Sequence, residues 1–114
     1  MRITYDDILE DSGSEARSRE ATLLDRSIEL MRRADAAGPL SPERHEAVRF
    51  VERLWTRLVE DLGSPRNRLE PALRADLISI GIFILRELVA IGRGERDFTT
   101  VSEITEHVRA GVAA

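Results

Sequence analysis

The sequence predicts an all-α protein: an antiparallel bundle of three long helices, with a short N-terminal helix and a shorter C-terminal helix. Two observations lead to this fold class. Apolar residues recur with a helical period over most of the 114 residues, and glycine or proline interrupts the pattern at only a few points. Those points are Gly13, Gly38-Pro39, Gly63-Ser64-Pro65, and Gly92 with Gly94. A chain of this length is one domain's worth, so residues 1–114 are expected to share a single core.

The first helix is predicted over Thr4 to Glu10, and a helix this short needs a docking surface to be stable. Its apolar side chains, Tyr5, Ile8 and Leu9, fall on one face. Two interpretations stay open for residues 1–12. The segment could cap one end of the bundle, or it could lie in a groove from which a partner displaces it.

The second helix is predicted from about Ser14 to Ala37, where Gly38 and Pro39 form a strong stop signal. Its apolar stripe consists of Leu23, Leu24, Ile28, Leu30, Met31 and Ala34.

The third helix is predicted to begin at Ser41-Pro42, because serine suits the N-cap and proline suits the first helical position. It ends at Gly63. Its broad apolar stripe consists of Ala47, Val51, Leu54, Trp55, Leu58, Val59 and Leu62. Trp55 lies in the middle of this stripe, which favours core packing.

The fourth helix is predicted from near Pro71 to Ile91. The run Leu77 to Leu85 alone would also fit a buried strand, but the periodic pattern is far longer than a strand and the chain offers no strand partner. Because nearly half of its circumference is apolar, we expect this helix to be the central one. Gly81 costs about 1 kcal/mol in a helix interior, so we expect a neighbouring helix to approach closely there.

The last helix is predicted from Thr100 to about Ala110. Thr100 and Glu103 have the spacing of a capping box. Val101, Ile104 and Val108 give this helix a thin apolar face.

The composition excludes several classes of protein. The chain has no cysteine, which rules out disulfides, thiolate metal ligands and thiol nucleophiles, and which fits a reducing cytoplasm. The formal net charge is -4, whereas nucleic-acid binders are more often basic. No apolar stretch approaches the roughly 20 residues that a membrane span needs. We expect a cytoplasmic protein that makes no membrane contact.

The residues that usually carry catalysis are scarce. His45 and His107 lie far apart, without metal-ligand spacing, and they are expected to be ordinary surface residues. No phosphate-binding loop, dinucleotide fingerprint or nucleophile elbow occurs. We therefore expect no enzyme activity, no metal and no cofactor.

Three arginines of the third helix, Arg49, Arg53 and Arg57, point the same way at i, i+4 spacing. They could contact the phosphates of a nucleic acid. Glu46 and Glu60 bracket the row, however, and acidic neighbours oppose phosphate binding. A mixed, salt-bridged outer face is the interpretation that we favour.

Phe83 lies on the flank of the fourth helix away from its main stripe, among the small residues Ala72, Ser79 and Ala90. Another helix of the bundle could cover this shallow apolar patch, or a partner's helix could dock on it. The candidate partner-binding residues are Phe83, Ser79, Arg86, Ala90, Tyr5, Ile8, Leu9 and Trp55.

Three stretches together resemble the FlaF family of flagellar biosynthesis regulators. They are the segment from Tyr5 to Glu20, the run Leu54-Trp55-Thr56-Arg57-Leu58-Val59-Glu60-Asp61-Leu62, and Leu77-Ile78-Ser79-Ile80-Gly81 leading to Arg86-Glu87. Their order and spacing resemble the family over nearly the whole chain. Phe83 stands where the family is expected to have tryptophan, which keeps the aromatic character.

The resemblance implies a bacterial cytoplasmic protein that binds flagellin as an export chaperone and acts with FlbT, a regulator of flagellin translation. An apolar groove on a helical bundle could cover the helix-forming ends of flagellin until export. Two alternatives come from other classes. One is a regulator that contacts flagellin messenger RNA through the arginine row, and the other is a dimerisation module whose Phe83 face pairs with itself.

Overall fold

The computed structural model describes residues 5–112, with side chains from residue 15 onward. Over that range the chain folds into four helices and no strand: α1 (Tyr5–Ala37), α2 (Pro42–Leu62), α3 (Pro71–Gly92) and α4 (Thr99–Ala110). The all-α prediction is confirmed, with three long helices and a shorter C-terminal one.

The predicted break at Gly13 is wrong, because α1 runs continuously from Tyr5 to Ala37. A single glycine weakens a helix by about 1 kcal/mol but does not end it unless proline or a capping residue follows. At the other end of α1, Gly38 does end the helix. It takes a φ of 95° and its amide donates to the carbonyl oxygen of Ala34.

The central helix is α2, which packs against α1 on one side and α3 on the other, while α4 packs against α1. The prediction that α3 would be central is therefore wrong. The fourth helix lies on α1 and not on α3, so α2 is the helix that buries α3. Only one side of α3 is covered, although its sequence is apolar over a wider arc.

The core lies between α1, α2 and the inner side of α3, and α4 closes it at one end. Its members are mainly aliphatic and include Leu24, Leu30, Met31, Ala34, Ala47, Val51, Leu54, Trp55, Ile84, Leu88, Ile91, Phe98 and Val101. Trp55 is only 1% exposed, so the core position predicted for its indole is confirmed.

The start of α2 follows the prediction, since the Ser41 side chain accepts a hydrogen bond from the Arg44 amide at 3.1 Å. The start of α4 does not. The helix begins at Thr99, one residue before the expected cap, and Phe98 occupies the N-cap position without a side-chain bond. Carboxylates satisfy the first amides instead, because Asp97 accepts from Thr99 and Asp35 accepts from Phe98, each at 3.0 Å.

A buried arginine joins all four helices at this end of the bundle. Arg44 is 4% exposed; its Nη1 donates to the carbonyl oxygens of Arg96 at 2.6 Å and Ile91 at 3.3 Å. Its Nη2 lies 3.5 Å from Asp35 Oδ1, and its guanidinium lies 5.7 Å from the centre of the Phe98 ring. We call these residues, Arg44, Asp35 and Phe98, the Arg44 corner.

Candidate partner-binding surface

The inner side of α3 fits tightly against α2. The residues that α3 buries are Gly81, Ile84, Leu88 and Ile91. A Cβ added at Gly81 would overlap the side chain of Val59 and would lie 3.2 Å from Trp55 Cε3. The close approach expected at Gly81 is therefore confirmed, and the absent side chain allows α2 and α3 to pack at short distance.

The outer side of α3 carries large apolar side chains that no helix of the described part of the chain covers. Ile82, Phe83 and Val89 are all exposed there, with Phe83 at 42% and Val89 at 56%. Three exposed large apolar residues on one side of a helix are more than the scattered single residues of an ordinary surface. This clustering marks the outer side of α3 as a candidate binding surface.

A single line of residues runs down the middle of that surface. Ala72, Asp76, Ser79, Phe83, Arg86 and Ala90 follow one another at alternating intervals of four and three residues. This spacing keeps them on one side of a helix. All are exposed except Ala90, which is half-buried. We call this line, together with the flanking Ile82 and Val89, the α3 face.

The α3 face carries two charges of opposite sign. Asp76 lies near its N-terminal end and Arg86 near its C-terminal end, and neither forms an ion pair within the described part of the chain. The next carboxylate along, Glu87, is paired with Arg96. The face thus offers apolar surface together with one carboxylate and one guanidinium that have no ion pair within the described residues, a combination suited to binding a helix.

The structure brings four of the candidate partner-binding residues together. Ser79, Phe83, Arg86 and Ala90 all lie on the α3 face. Trp55 lies apart from them, since its indole is in the core and has almost no surface to offer. The side chains of Tyr5, Ile8 and Leu9 lie outside the described residues, so their predicted packing in a groove or across one end of the bundle stays a prediction.

The arginine row on α2 is exposed, as are the acidic residues around it. A shallow depression there is lined by Glu52, Arg53, Thr56, Arg57 and Glu60. Two carboxylates therefore lie among the guanidinium groups that would have to hold a phosphate. Mixed charge of this kind weakens phosphate binding, which favours the interpretation of the row as a mixed outer face. The salt bridges expected there are not formed, since none of the three arginines has an ion pair within the described residues.

His45 and His107 are exposed and lie on different helices, and no group of three metal-ligating side chains comes together among the described residues. Within the same range, no helix is both long and apolar enough to pass through a membrane.

Among the side chains that the structure describes, three carboxyl groups have shifted pKa values, and each has a local cause. Burial, and then the negative charge of Asp61, raise the pKa of Glu20 on α1. Hydrogen bonds from Arg32 and Arg33 lower the pKa of Glu29. The amide and side chain of Thr99 lower the pKa of Asp97. None of the three lies on the α3 face.

Besides the Arg44 corner, sequence reasoning missed two features. Asp76 belongs to the α3 face, and its alternating four- and three-residue spacing from Ser79 and Phe83 was a signal that could have found it. Leu40, in the turn before α2, is 82% exposed and has a φ of 66°, which is rare for a non-glycine residue. Nothing in the sequence around Leu40 signals that conformation, because Gly38 and Pro39 already account for the turn.

A comparison with models of protein families finds one that covers almost the whole chain. The model described as "Flagellar protein FlaF" matches residues 1–112. No curated protein and no solved structure gives a significant match.

Proposed function

Because the chain belongs to the FlaF family of flagellar proteins, we propose that it binds flagellin in the cytoplasm as an export chaperone. It thereby promotes the synthesis and secretion of flagellin and the assembly of the flagellum. The observation that carries this proposal is the α3 face, which leaves three large apolar side chains exposed on one side of a single helix. The proposed role is one of binding, without catalysis.

The chemistry of flagellin suits such a surface. Unassembled flagellin has helix-forming terminal segments whose apolar sides would aggregate if they stayed exposed. An amphipathic helix that lies along α3 would cover Ile82, Phe83 and Val89 and would shield its own apolar side at the same time. Phe83 is the natural anchor, because a partly exposed aromatic side chain contributes more to binding than its small neighbours do.

The regulatory role follows from sequestration in this proposal. The flagellin bound to the chaperone is the fraction that has been translated but not yet exported. FlbT, the translational regulator that the family resemblance implies, would then respond to free flagellin or to the complex. Its contact with this protein is a further part of the proposal.

Calorimetric titration of monomeric flagellin into the protein, at low and high salt, tests the proposal. We expect saturable binding that tolerates salt, because apolar contacts dominate the α3 face. Phe83→Asp should weaken this binding about tenfold or more, since it puts a charge into the centre of the contact. Thr56→Asp, an exposed position on α2, is the matched control and should bind as the wild type does.

Two outcomes would contradict the proposal. Absence of binding at both salt concentrations would remove flagellin as the ligand. Binding that Phe83→Asp leaves unchanged, with the helical content of the variant intact, would move the site away from α3. The messenger-RNA alternative predicts binding of flagellin mRNA that falls steeply with salt and that depends on Arg49, Arg53 and Arg57.

A further inference from the structure

We propose that the α3 face pairs with the α3 face of a second copy of this chain, antiparallel, about a two-fold axis that passes at the level of Gly81. The protein without flagellin is then a homodimer in equilibrium with its monomer. The dimer does not depend on the proposed function, because it concerns this chain alone.

The spacing of the line on α3 is that of a helix pair. Residues at alternating intervals of four and three form the seam along which two helices pack side by side. The side of α3 that faces α2 is a separate seam, made by Leu77, Gly81, Ile84, Leu88 and Ile91. The two seams lie on opposite sides of the helix. A second copy on the outer seam therefore does not compete with α2.

The outer seam is complementary to itself when it is reversed. An axis at the level of Gly81 places Asp76 opposite Arg86 of the second copy, and symmetry makes this ion pair twice. The same axis places Phe83 opposite Ser79, so that the largest residue of the line meets a small one. At the two ends, Ala72 lies opposite Ala90, and small residues allow the helix ends to approach closely.

The flanking residues extend the apolar contact. Ile82 lies near the axis and meets Ile82 of the second copy. Val89 borders the two ends of the seam. The dimer thus covers, at least in part, Ile82, Phe83 and Val89, and it supplies the charged partners that Asp76 and Arg86 lack within the described part of the chain.

The charge order selects the antiparallel arrangement. In a parallel pair, Asp76 would lie beside Asp76 and Arg86 beside Arg86, and like charges at an interface are destabilising. In the antiparallel pair both contacts join opposite charges. A single helix pair is a small interface, so we expect reversible association that depends on concentration.

If flagellin docks on the α3 face as proposed, the second copy and flagellin compete for it. The dimer would then keep Phe83 covered until flagellin is available. This consequence rests on the proposed function, whereas the dimer itself is tested without flagellin. A dimer that binds no flagellin would overturn the proposed function only, and a monomer that binds flagellin would overturn the dimer only.

Charge reversal tests the pairing. Mass is measured by sedimentation equilibrium over a wide concentration series, and circular dichroism checks that each variant is folded. The wild type should pass from monomer to dimer as the concentration rises. Asp76→Arg and Arg86→Asp should each weaken self-association about tenfold or more, because symmetry repeats the repulsion twice. Arg53→Asp, a charge reversal on the exposed side of α2, should leave the association unchanged.

The decisive sample is an equimolar mixture of the two single variants. Each variant carries two like charges on its own face, so the mixture should form a heterodimer at concentrations where each variant alone is a monomer. The double variant Asp76→Arg/Arg86→Asp should regain the wild-type homodimer. A wild type that is monomeric throughout, a dimer insensitive to both reversals, or a mixture that stays monomeric would each overturn the proposal.

Discussion

The Arg44 corner and the α3 face contain the same kinds of residue, charged and large apolar ones, in opposite environments. At the corner, Arg44 is 4% exposed and its guanidinium reaches two carbonyl oxygens and a carboxylate. On the α3 face, Arg86 is exposed and has no ion pair within the described residues. The phenylalanine side chains of the two regions also differ in exposure, since Phe98 is buried completely while Phe83 is 42% exposed.

The difference separates what holds the fold together from what is left for a partner. A buried guanidinium that reaches a carboxylate and two carbonyl oxygens fixes helices in place even though its Nε has no partner, and removing it takes a donor from each of those oxygens. An exposed phenyl ring and an unpaired guanidinium contribute little to folding and can contribute to binding. Substitutions at the corner should therefore change stability, and substitutions on the face should change association.

The largest effect on stability is expected at the corner. Arg44→Met keeps the length of the side chain but removes its hydrogen bonds. The carbonyl oxygen of Arg96 loses its donor, while Asp35 keeps only the Phe98 amide and the Ile91 carbonyl oxygen keeps only the Gly94 amide. We expect the free energy of unfolding in urea to fall by about 3 kcal/mol. Arg49→Met, an exposed arginine of the same helix, is the control and should change it by less than about 0.5 kcal/mol. Equal effects of the two substitutions would mean that the corner is not a stabilising contact.

A second effect is expected where α3 meets α2. Gly81→Ala gains about 1 kcal/mol of helix propensity but forces a Cβ into Val59, and overpacking costs typically about 1 to 3 kcal/mol. We expect a net destabilisation of about 1 kcal/mol. Val59→Ala should remove the clash, so the double variant should be more stable than the sum of the two single changes predicts. A net gain in stability from Gly81→Ala alone would show that the two helices are less tightly packed than the structure has them.

Substitutions on the outer side of α3 should change the stability of the protein little. Phe83→Ser removes a whole phenyl ring, yet at protein concentrations below any self-association it should change the free energy of unfolding by less than about 0.5 kcal/mol. Ile84→Val removes one methyl group from the buried side and should cost about 1 kcal/mol. Urea denaturation of the two variants under the same conditions checks this order. A larger loss of stability from Phe83→Ser than from Ile84→Val would place Phe83 in the core.

The sequence predicted the helices well and their arrangement less well. Helical period and glycine-proline signals are local, so the bounds of α2, α3 and α4 lie close to those expected, and Ser41 caps α2 as predicted. The break at Gly13 was wrong because one glycine does not outweigh a long favourable helix. The central position of α3 was wrong because apolar breadth alone does not tell which neighbour covers which side of a helix.

The candidate site was predicted in part for the same reason. Phe83, Ser79, Arg86 and Ala90 were found together because they share one helix, and the separation of residues on one helix is fixed by its geometry. The Arg44 corner was missed because its partners lie 47 and 52 residues away in the chain. Contacts of that range depend on tertiary packing, which a periodic pattern does not contain.

A smaller effect on stability is expected at Glu20, a partly buried carboxyl group of α1, whose pKa burial and Asp61 raise more than the nearby Arg17 and Arg19 lower it. Burial and the negative charge of Asp61 raise the pKa of Glu20 in the folded protein. The carboxyl group therefore binds its proton more tightly when the chain is folded, so its contribution favours folding at low pH and is lost as pH rises through the raised pKa.

Glu20→Gln removes this dependence. We expect the variant to equal the wild type in stability at acid pH, below the ordinary pKa of glutamate, and to exceed it at neutral pH by less than about 1 kcal/mol, since the group is partly solvated. Glu15→Gln, at an exposed position of α1, should show no such gain. Urea denaturation from acid to neutral pH checks the sign, and a variant less stable than the wild type at neutral pH would mean that Glu20 is held by a favourable contact and not by a repulsive one.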